Sequence, residues 1–398
     1  MDEAKHKGTL QYKLSHIHGI RAIVMAWVVC GHNSAYLPGS INSPISHIAR
    51  FPLDFNKMVA SSLWPNLFNN AYHAVETFFF LSGFLLISVA IDKNLFKIAN
   101  FKVFWGGRYI RFAIPLLGMI AIHKCLFIIR KSPFNSFESF NASYPYCQDK
   151  YWWKQLLFYN NLVHPFESCI YFSWYLSADL QIHIFAFLLI IALRNQLYKH
   201  FYILCLFFGS FTIFIPLTLI YFGIPTFEAL QFFADFSSKM PISSQILLYA
   251  APWMHMGAFF YGCAIGLAFM QQKKLFFSKS KFWWNLSLII LITDAFISTP
   301  SIRTLYNSHL LRAVIIGLIF GSWIFALSII IYQMAADDYP KHTAFFRNIF
   351  SIPLLKVISR LSFSMYLSQF TIAFLNFTVN DEIFRVNQPE IVSFIIFY

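Results

Sequence analysis

Arg21 and His32 lie in one apolar stretch, Arg21-AIVMAWVVCG-His32, with ten residues between them. An ionisable side chain within a membrane span is costly to desolvate, so it marks a functional site by default. Eleven positions at about 100° each return to within about 20° of the starting face and rise about 16 Å. The spacing predicts one helix face that carries a guanidinium at a membrane boundary and an imidazole roughly half a bilayer away.

Two acidic residues are candidates to accompany that imidazole. Glu76 lies near the start of Tyr72-His-Ala-Val-Glu76-Thr-Phe-Phe-Phe-Leu-Ser-Gly83-Phe, and Asp179 near the start of Ser173-Trp-Tyr-Leu-Ser-Ala-Asp179-Leu-Gln181-Ile-His183. Counting inward at about 1.5 Å per residue places both carboxylates at a depth similar to His32. One imidazole and two carboxylates at a shared level form a candidate acid–base site, in which a carboxylate orients the ring and fixes its tautomer. A polar network that merely holds spans together would use the same residue types, as would a proton-coupled carrier.

Arg108 and Arg111 stand at i and i+3 on one helix face. Guanidinium groups are bidentate donors to phosphate. Snorkelling of basic residues to lipid headgroups is the alternative reading. With Arg21 at the same membrane surface, these arginines form a candidate seat for a nucleotide-phosphate carrier such as CoA. An extended pantetheine arm has roughly the reach of the Arg21–His32 separation, about 16 Å. The spacing thus fits an acyl group delivered from the cytoplasm to an acceptor approached from outside.

These residues need membrane helices to position them, and the composition supplies them. The chain is 58% hydrophobic and 12% charged, against about 25% charged in soluble domains, and its mean hydropathy is +0.57. Apolar runs near 21–37, 72–91, 109–129, 172–193, 202–222, 247–270, 283–299, 311–332, 361–379 and from 391 onward predict an all-α polytopic protein with about ten transmembrane helices. The last run reaches Tyr398 after eight residues, so a truncated final span is expected. The predicted organisation is a cytoplasmic tail over 1–16 and one membrane domain over 17–398. The first run opens on an arginine and has no small-residue cleavage site after it, unlike a signal peptide.

Orientation follows from Lys and Arg in the loops. With the amino terminus inside, the cytoplasmic tail and loops hold 19 of these residues and the opposite loops 10. A cytoplasmic amino terminus is expected, in the plasma membrane or an endomembrane. The net charge of +13 is mostly this bias, and the basic residues are dispersed over alternate loops, so no nucleic-acid partner is expected. The loop over 130–171 would then face an oxidising compartment. It contains Cys147, has Cys169 at its far end and carries the sequon Asn141-Ala-Ser143. A Cys147–Cys169 disulfide and glycosylation at Asn141 are expected there, with two unpaired thiols as the alternative. Cys30, Cys125, Cys205 and Cys263 fall in spans and read as packing residues. No CxxC or His/Cys metal spacing occurs, so no metal is expected.

Several segments together resemble a known family. His18-Gly-Ile-Arg21, Trp27-Val-Val and Gly31-His32 are similar to the opening motif of the membrane-bound acyltransferase 3 family, in its animal nose-resistant-to-fluoxetine branch. Val75-Glu76 through Ser82-Gly83-Phe resembles the second-span motif, and Arg108-x-x-Arg111 with Pro115 the cytoplasmic arginine motif. Ser173 through Gln181, Asn160-Asn161-Leu with the flanking Cys147 and Cys169, Trp253-Met-His-Met-Gly257 with Gly262 and Gly266, and Leu361-Ser362-Phe-Ser-Met-Tyr366-Leu follow in the family's order. The similarity runs from about 15 to 380 and implies one acyltransferase-3-like bundle.

The resemblance implies transfer of an acyl group, often acetyl, from acyl-CoA as co-substrate to a hydroxyl-bearing or lipid acceptor, with no tightly bound cofactor. It implies that Arg21 and His32 match a functional Arg-x10-His pair, and that Arg108 and Arg111 match the cytoplasmic arginines. By its chemistry, His32 acts as general base or as acyl carrier, oriented by Asp179 or Glu76. His255 and Gln369 depart from the family pattern, which has Arg and His there. The animal branch has an extracellular amino-terminal domain and a signal sequence that are not read in this chain. A lipid or small-hydrophobe transporter that keeps the fold without the chemistry is the alternative function.

Overall fold

A backbone in an apolar surrounding must satisfy its own N–H and C=O groups, so long apolar runs become helices. In the computed structural model, residues 9–35, 67, 70–95, 97, 99–129, 152–163, 168–221, 250–297, 309–336 and 338–379 are described, and no strand occurs among them. The principal helices are α1 (His16–Ala35), α2 (Tyr72–Asp92), α3 (Ala99–Ile129) and α4 (Trp174–Ala192). They continue as α5 (Tyr202–Gly209), α6 (Phe211–Tyr221), α7 (Pro252–Met270) and α8 (Lys281–Phe296). The last are α9 (His309–Ala335), α10 (Ala344–Phe350) and α11 (Pro353–Val379).

The described parts of the expected runs up to 379 fall almost wholly on helices, but the expectation of about ten spans is not met at that number. Among the described residues, five helical segments are long and apolar enough to cross a membrane: Tyr72–Asp92, Trp174–Ala192, Tyr198–Ile215, Pro252–Met270 and Val314–Ala335. A sixth is reached if Lys341–Phe350 and Pro353–Gln369, which meet at 59°, form one broken span. The physical reason lies in the helices that fall short. α1 carries His16, His18, Arg21 and His32, and α3 carries Lys102, Arg108, Arg111 and Lys124, so polar residues dilute their apolarity. α8 has 16 residues, about 24 Å, less than a hydrocarbon core of about 30 Å. The run from 391 onward lies outside the described residues.

Packing brings α2 against α7, α1 against α11 and α6 against α9 as the most extensive helix pairs. The α2–α7 contact depends on missing side chains. A methyl group on Gly83 would sit 1.9 Å from the Phe259 carbonyl oxygen, and one on Gly262 would sit 2.1 Å from that of Phe80. Gly262 and Gly266 are four apart on α7, the small-xxx-small spacing by which helices approach closely in lipid. Around this seam Phe79, Phe80, Phe84, Phe259 and Phe260 are fully buried.

Buried polar groups tie other elements. The Asn70 amide donates to the carbonyls of Asp294, Ala295 and Ile297 at the end of α8, satisfying acceptors a helix terminus leaves open. Trp323 Nε1 donates to Thr77 Oγ1 at 2.9 Å, joining α9 to α2. His18 Nδ1 and Ser359 Oγ are 3.2 Å apart, joining α1 to α11. The result is a helical bundle in which α1, α2, α3, α4 and α11 surround one cavity.

Candidate active site

The cavity measures about 380 Å³ and has walls from all five of these helices. α1 contributes Arg21, Met25, Val28 and His32, which recur every three or four residues as one face of a helix should. α2 contributes an apolar strip that extends from Val75 to Ala90, about 22 Å at helical rise. α3 contributes Arg108, Arg111 and Phe112, α4 contributes Trp174, Tyr175, Asp179 and His183, and α11 contributes Phe363 and Tyr366. Arg21, His32, Arg108, Arg111 and Asp179, all singled out from the sequence, thus border one space.

Their partners differ from those expected. Asp179 is buried, and its Oδ2 accepts from Arg108 Nη2 at 2.5 Å and Nε at 3.2 Å. His183 Nδ1 lies 3.3 Å from the other carboxylate oxygen and 2.8 Å from the Asp179 carbonyl oxygen. Span counting had put Asp179 and Arg108 near opposite membrane surfaces. The reason for the discrepancy is where α3 starts. It begins at Ala99, so Arg108 stands about 14 Å into the helix rather than at its edge.

Glu76 is turned toward α7. Its Oε1 and His255 Nδ1 are 2.6 Å apart, both side chains are buried, and the His255 ring is stacked between Phe79 at 4.5 Å and Trp174 at 5.4 Å. Neither carboxylate is therefore placed as the expected orienting group of His32, because each is engaged by a basic side chain of another helix. The side chain of Gln369, from α11, lies beside His32. Gln369 also donates to the Tyr366 carbonyl at 3.1 Å.

The charges around the cavity do not balance. Arg21 is largely buried and lies within electrostatic range of Arg108, Arg111, Asp179 and Tyr175. Among the described residues neither Arg21 nor Arg111 has an ion pair of its own, while Arg108 holds Asp179. Three guanidinium groups share one carboxylate in a site partly shut off from water. An anion entering there meets fixed donors and loses little to screening.

Phe172, in the segment leading into α4, also lines the cavity. Asn160 Nδ2 donates to Ser168 Oγ and Ser173 Oγ, and its Oδ1 accepts from Ser177 Oγ at 2.6 Å. Asn161 and Gln181 exchange two hydrogen bonds of 2.9 Å. Tyr366 donates to the Phe172 carbonyl at 2.6 Å. Cys169 is disulfide-bonded. Its expected partner, Cys147, and the sequon residue Asn141 lie outside the described residues. Among the described residues no group of His, Cys, Asp or Glu is arranged to hold a metal ion.

Sequence reasoning passed over Tyr175, although the Trp174-Tyr175 pair was in view as part of a motif. It flagged His255 and Gln369 only as departures from a pattern, not as the neighbours of Glu76 and His32.

The profile of an acyltransferase domain matches residues 14–398, nearly the whole chain. This chain belongs to the acyltransferase 3 family. Among curated proteins, the nose resistant to fluoxetine protein 6 of Caenorhabditis elegans is 27% identical over 190 residues, covering 44% of this chain and 21% of that protein. This acyltransferase 3 chain is thus similar to a limited part of a longer relative. No solved structure matches it. Family membership and the apolar helices together make it a multi-pass membrane protein of the acyltransferase class.

Proposed function

We propose that the cavity transfers an acyl group from acyl-CoA, admitted from the cytoplasmic side, to a hydroxyl-bearing acceptor. The observation that carries this reading is the three arginines around one carboxylate in a cavity that also contains His32. Arg21, Arg108 and Arg111 would bind the CoA phosphates, with Arg108 exchanging part of its contact to Asp179 for the ligand. Asp179 would hold Arg108 in place when the site is empty. His32 would take the proton of the acceptor hydroxyl as its oxygen attacks the thioester carbon, and return that proton to the departing thiolate. Alternatively, the ring would carry the acyl group between donor and acceptor. Gln369 would orient the ring in either case. The excess of Lys and Arg in alternate loops supports a cytoplasmic amino terminus.

Purified protein in liposomes tests the reading. With water as the acceptor hydroxyl, so that acetate forms, thiol release from acetyl-CoA is expected from the wild-type chain, and His32→Ala is expected to abolish it while the protein still folds and binds acetyl-CoA. Equal thiol release by His32→Ala would remove the imidazole from the chemistry. Movement of a hydrophobic solute across the liposome wall with no thioester loss would replace transfer by a carrier function.

A further inference from the structure

Two tyrosines border the cavity, Tyr175 and Tyr366. Tyr366 spends its hydroxyl on the Phe172 carbonyl. Tyr175 has no hydrogen bond among the described residues. Tyr175 is half-buried, and a phenol hydroxyl left open on a cavity wall is a donor available to whatever occupies the cavity. Its ring is held from several sides: Phe79 at 5.0 Å, Tyr366 at 5.5 Å and Trp174 at 6.2 Å between ring centres. The hydroxyl is therefore fixed before any ligand arrives. Tyr175 shares the cavity wall with Arg21, Arg108 and Asp179, and its neighbour Phe79 stacks on His255, the partner of Glu76.

We propose that Tyr175 is a further catalytic residue: its hydroxyl donates the hydrogen bond that holds the acyl carbonyl oxygen as negative charge develops on it. The inference rests on the acyl-transfer reading above. In that reaction the acceptor oxygen bonds to the thioester carbon as its proton passes to His32. The carbonyl π pair moves onto oxygen, where the Tyr175 hydroxyl meets it. When the pair returns, the C–S bond breaks and the thiolate leaves with its electrons and takes the proton from His32. Tyr175 keeps its own proton throughout. A donor that is already oriented costs no reorganisation at the moment of reaction. The same oxygen develops charge if His32 attacks first, so the role does not depend on which of the two routes is taken.

Tyr175→Phe removes only the hydroxyl and leaves the ring that packs against Phe79, Trp174 and Tyr366. In liposomes supplied with acetyl-CoA, its kcat for thiol release is expected to fall about 10²- to 10³-fold, the effect of deleting one oxyanion donor. Its KM and its equilibrium binding of acetyl-CoA are expected to stay at wild-type values. Wild-type turnover with kcat unchanged in Tyr175→Phe overturns the role of Tyr175 alone. A rise in KM with kcat unchanged also overturns it, because the hydroxyl then only binds substrate. No thiol release by the wild-type protein overturns the acyl-transfer reading and this role with it.

Discussion

At the residue scale, the Arg108–Asp179 pair separates stability from chemistry. Asp179 is buried and Arg108 is about a quarter exposed, with side-chain accessibilities of 2% and 23%. Removing one partner of a buried pair leaves an uncompensated charge and costs about 3–5 kcal/mol. Arg108→Ala is therefore expected to lower the melting temperature in detergent markedly, while Asp179→Asn added to it restores much of the loss. Acetyl-CoA binding should stay weak in both variants, because the phosphate donor is missing in each. Recovery of binding in the double variant would show that Arg108 serves structure alone. The sequence made Arg108 and Asp179 visible as expensive residues, but it did not pair them. The polar residues of the first turns of α3, including Asn100, Lys102, Gly106 and Gly107, conceal where the helix starts.

At the element scale, helix approach rather than helix formation decides the bundle. Each apolar run as far as 379 is helical over most of its described residues, because periodicity and backbone hydrogen bonding are local properties. The close contact of α2 and α7 requires bare backbone at Gly83 and Gly262. Gly262→Leu is expected to destabilise the protein by at least about 1–3 kcal/mol, since overpacking must push the helices apart. Gly118 on α3 is the comparison, because a side chain there meets nothing within 4 Å. Gly118→Ala should be neutral or stabilising by up to about 1 kcal/mol. The readout is the fraction of monodisperse protein after heating in detergent. Equal gains in both variants would mean that helix propensity, not the α2–α7 seam, controls stability.

At the scale of the whole molecule, the cavity draws its walls from both ends of the chain, α1 and α11. His18 and Ser359 join those two helices across 341 positions. The site is therefore a product of closing the bundle, and separate halves of the chain are expected to lack it. Orientation is a property at this scale too. With the amino terminus cytoplasmic, Asn141 faces the lumen, and Asn141→Gln should abolish a glycosidase-sensitive mass shift of the membrane-inserted protein. Labelling of an introduced Asn141→Cys thiol only from the cytosolic side would reverse the orientation, and with it the side from which acyl-CoA enters.

The amino-acid sequence alone determined that this is a helical membrane protein of the acyltransferase 3 type, and that Arg21 and His32 share one helix face. The helices and the shared face follow from local physics, the apolar run length and the angle per residue of a helix, whereas the family follows from the likeness of its motifs. Only the tertiary structure decided which charges meet. Glu76 and His255 are 179 positions apart, and Arg108 and Asp179 are 71 apart. No periodicity encodes such distances; they are set by how closely the helices pack and how far each is shifted along its neighbour. That packing assigned the two carboxylates to basic partners, placed Gln369 beside His32 and left the Tyr175 hydroxyl open to the cavity.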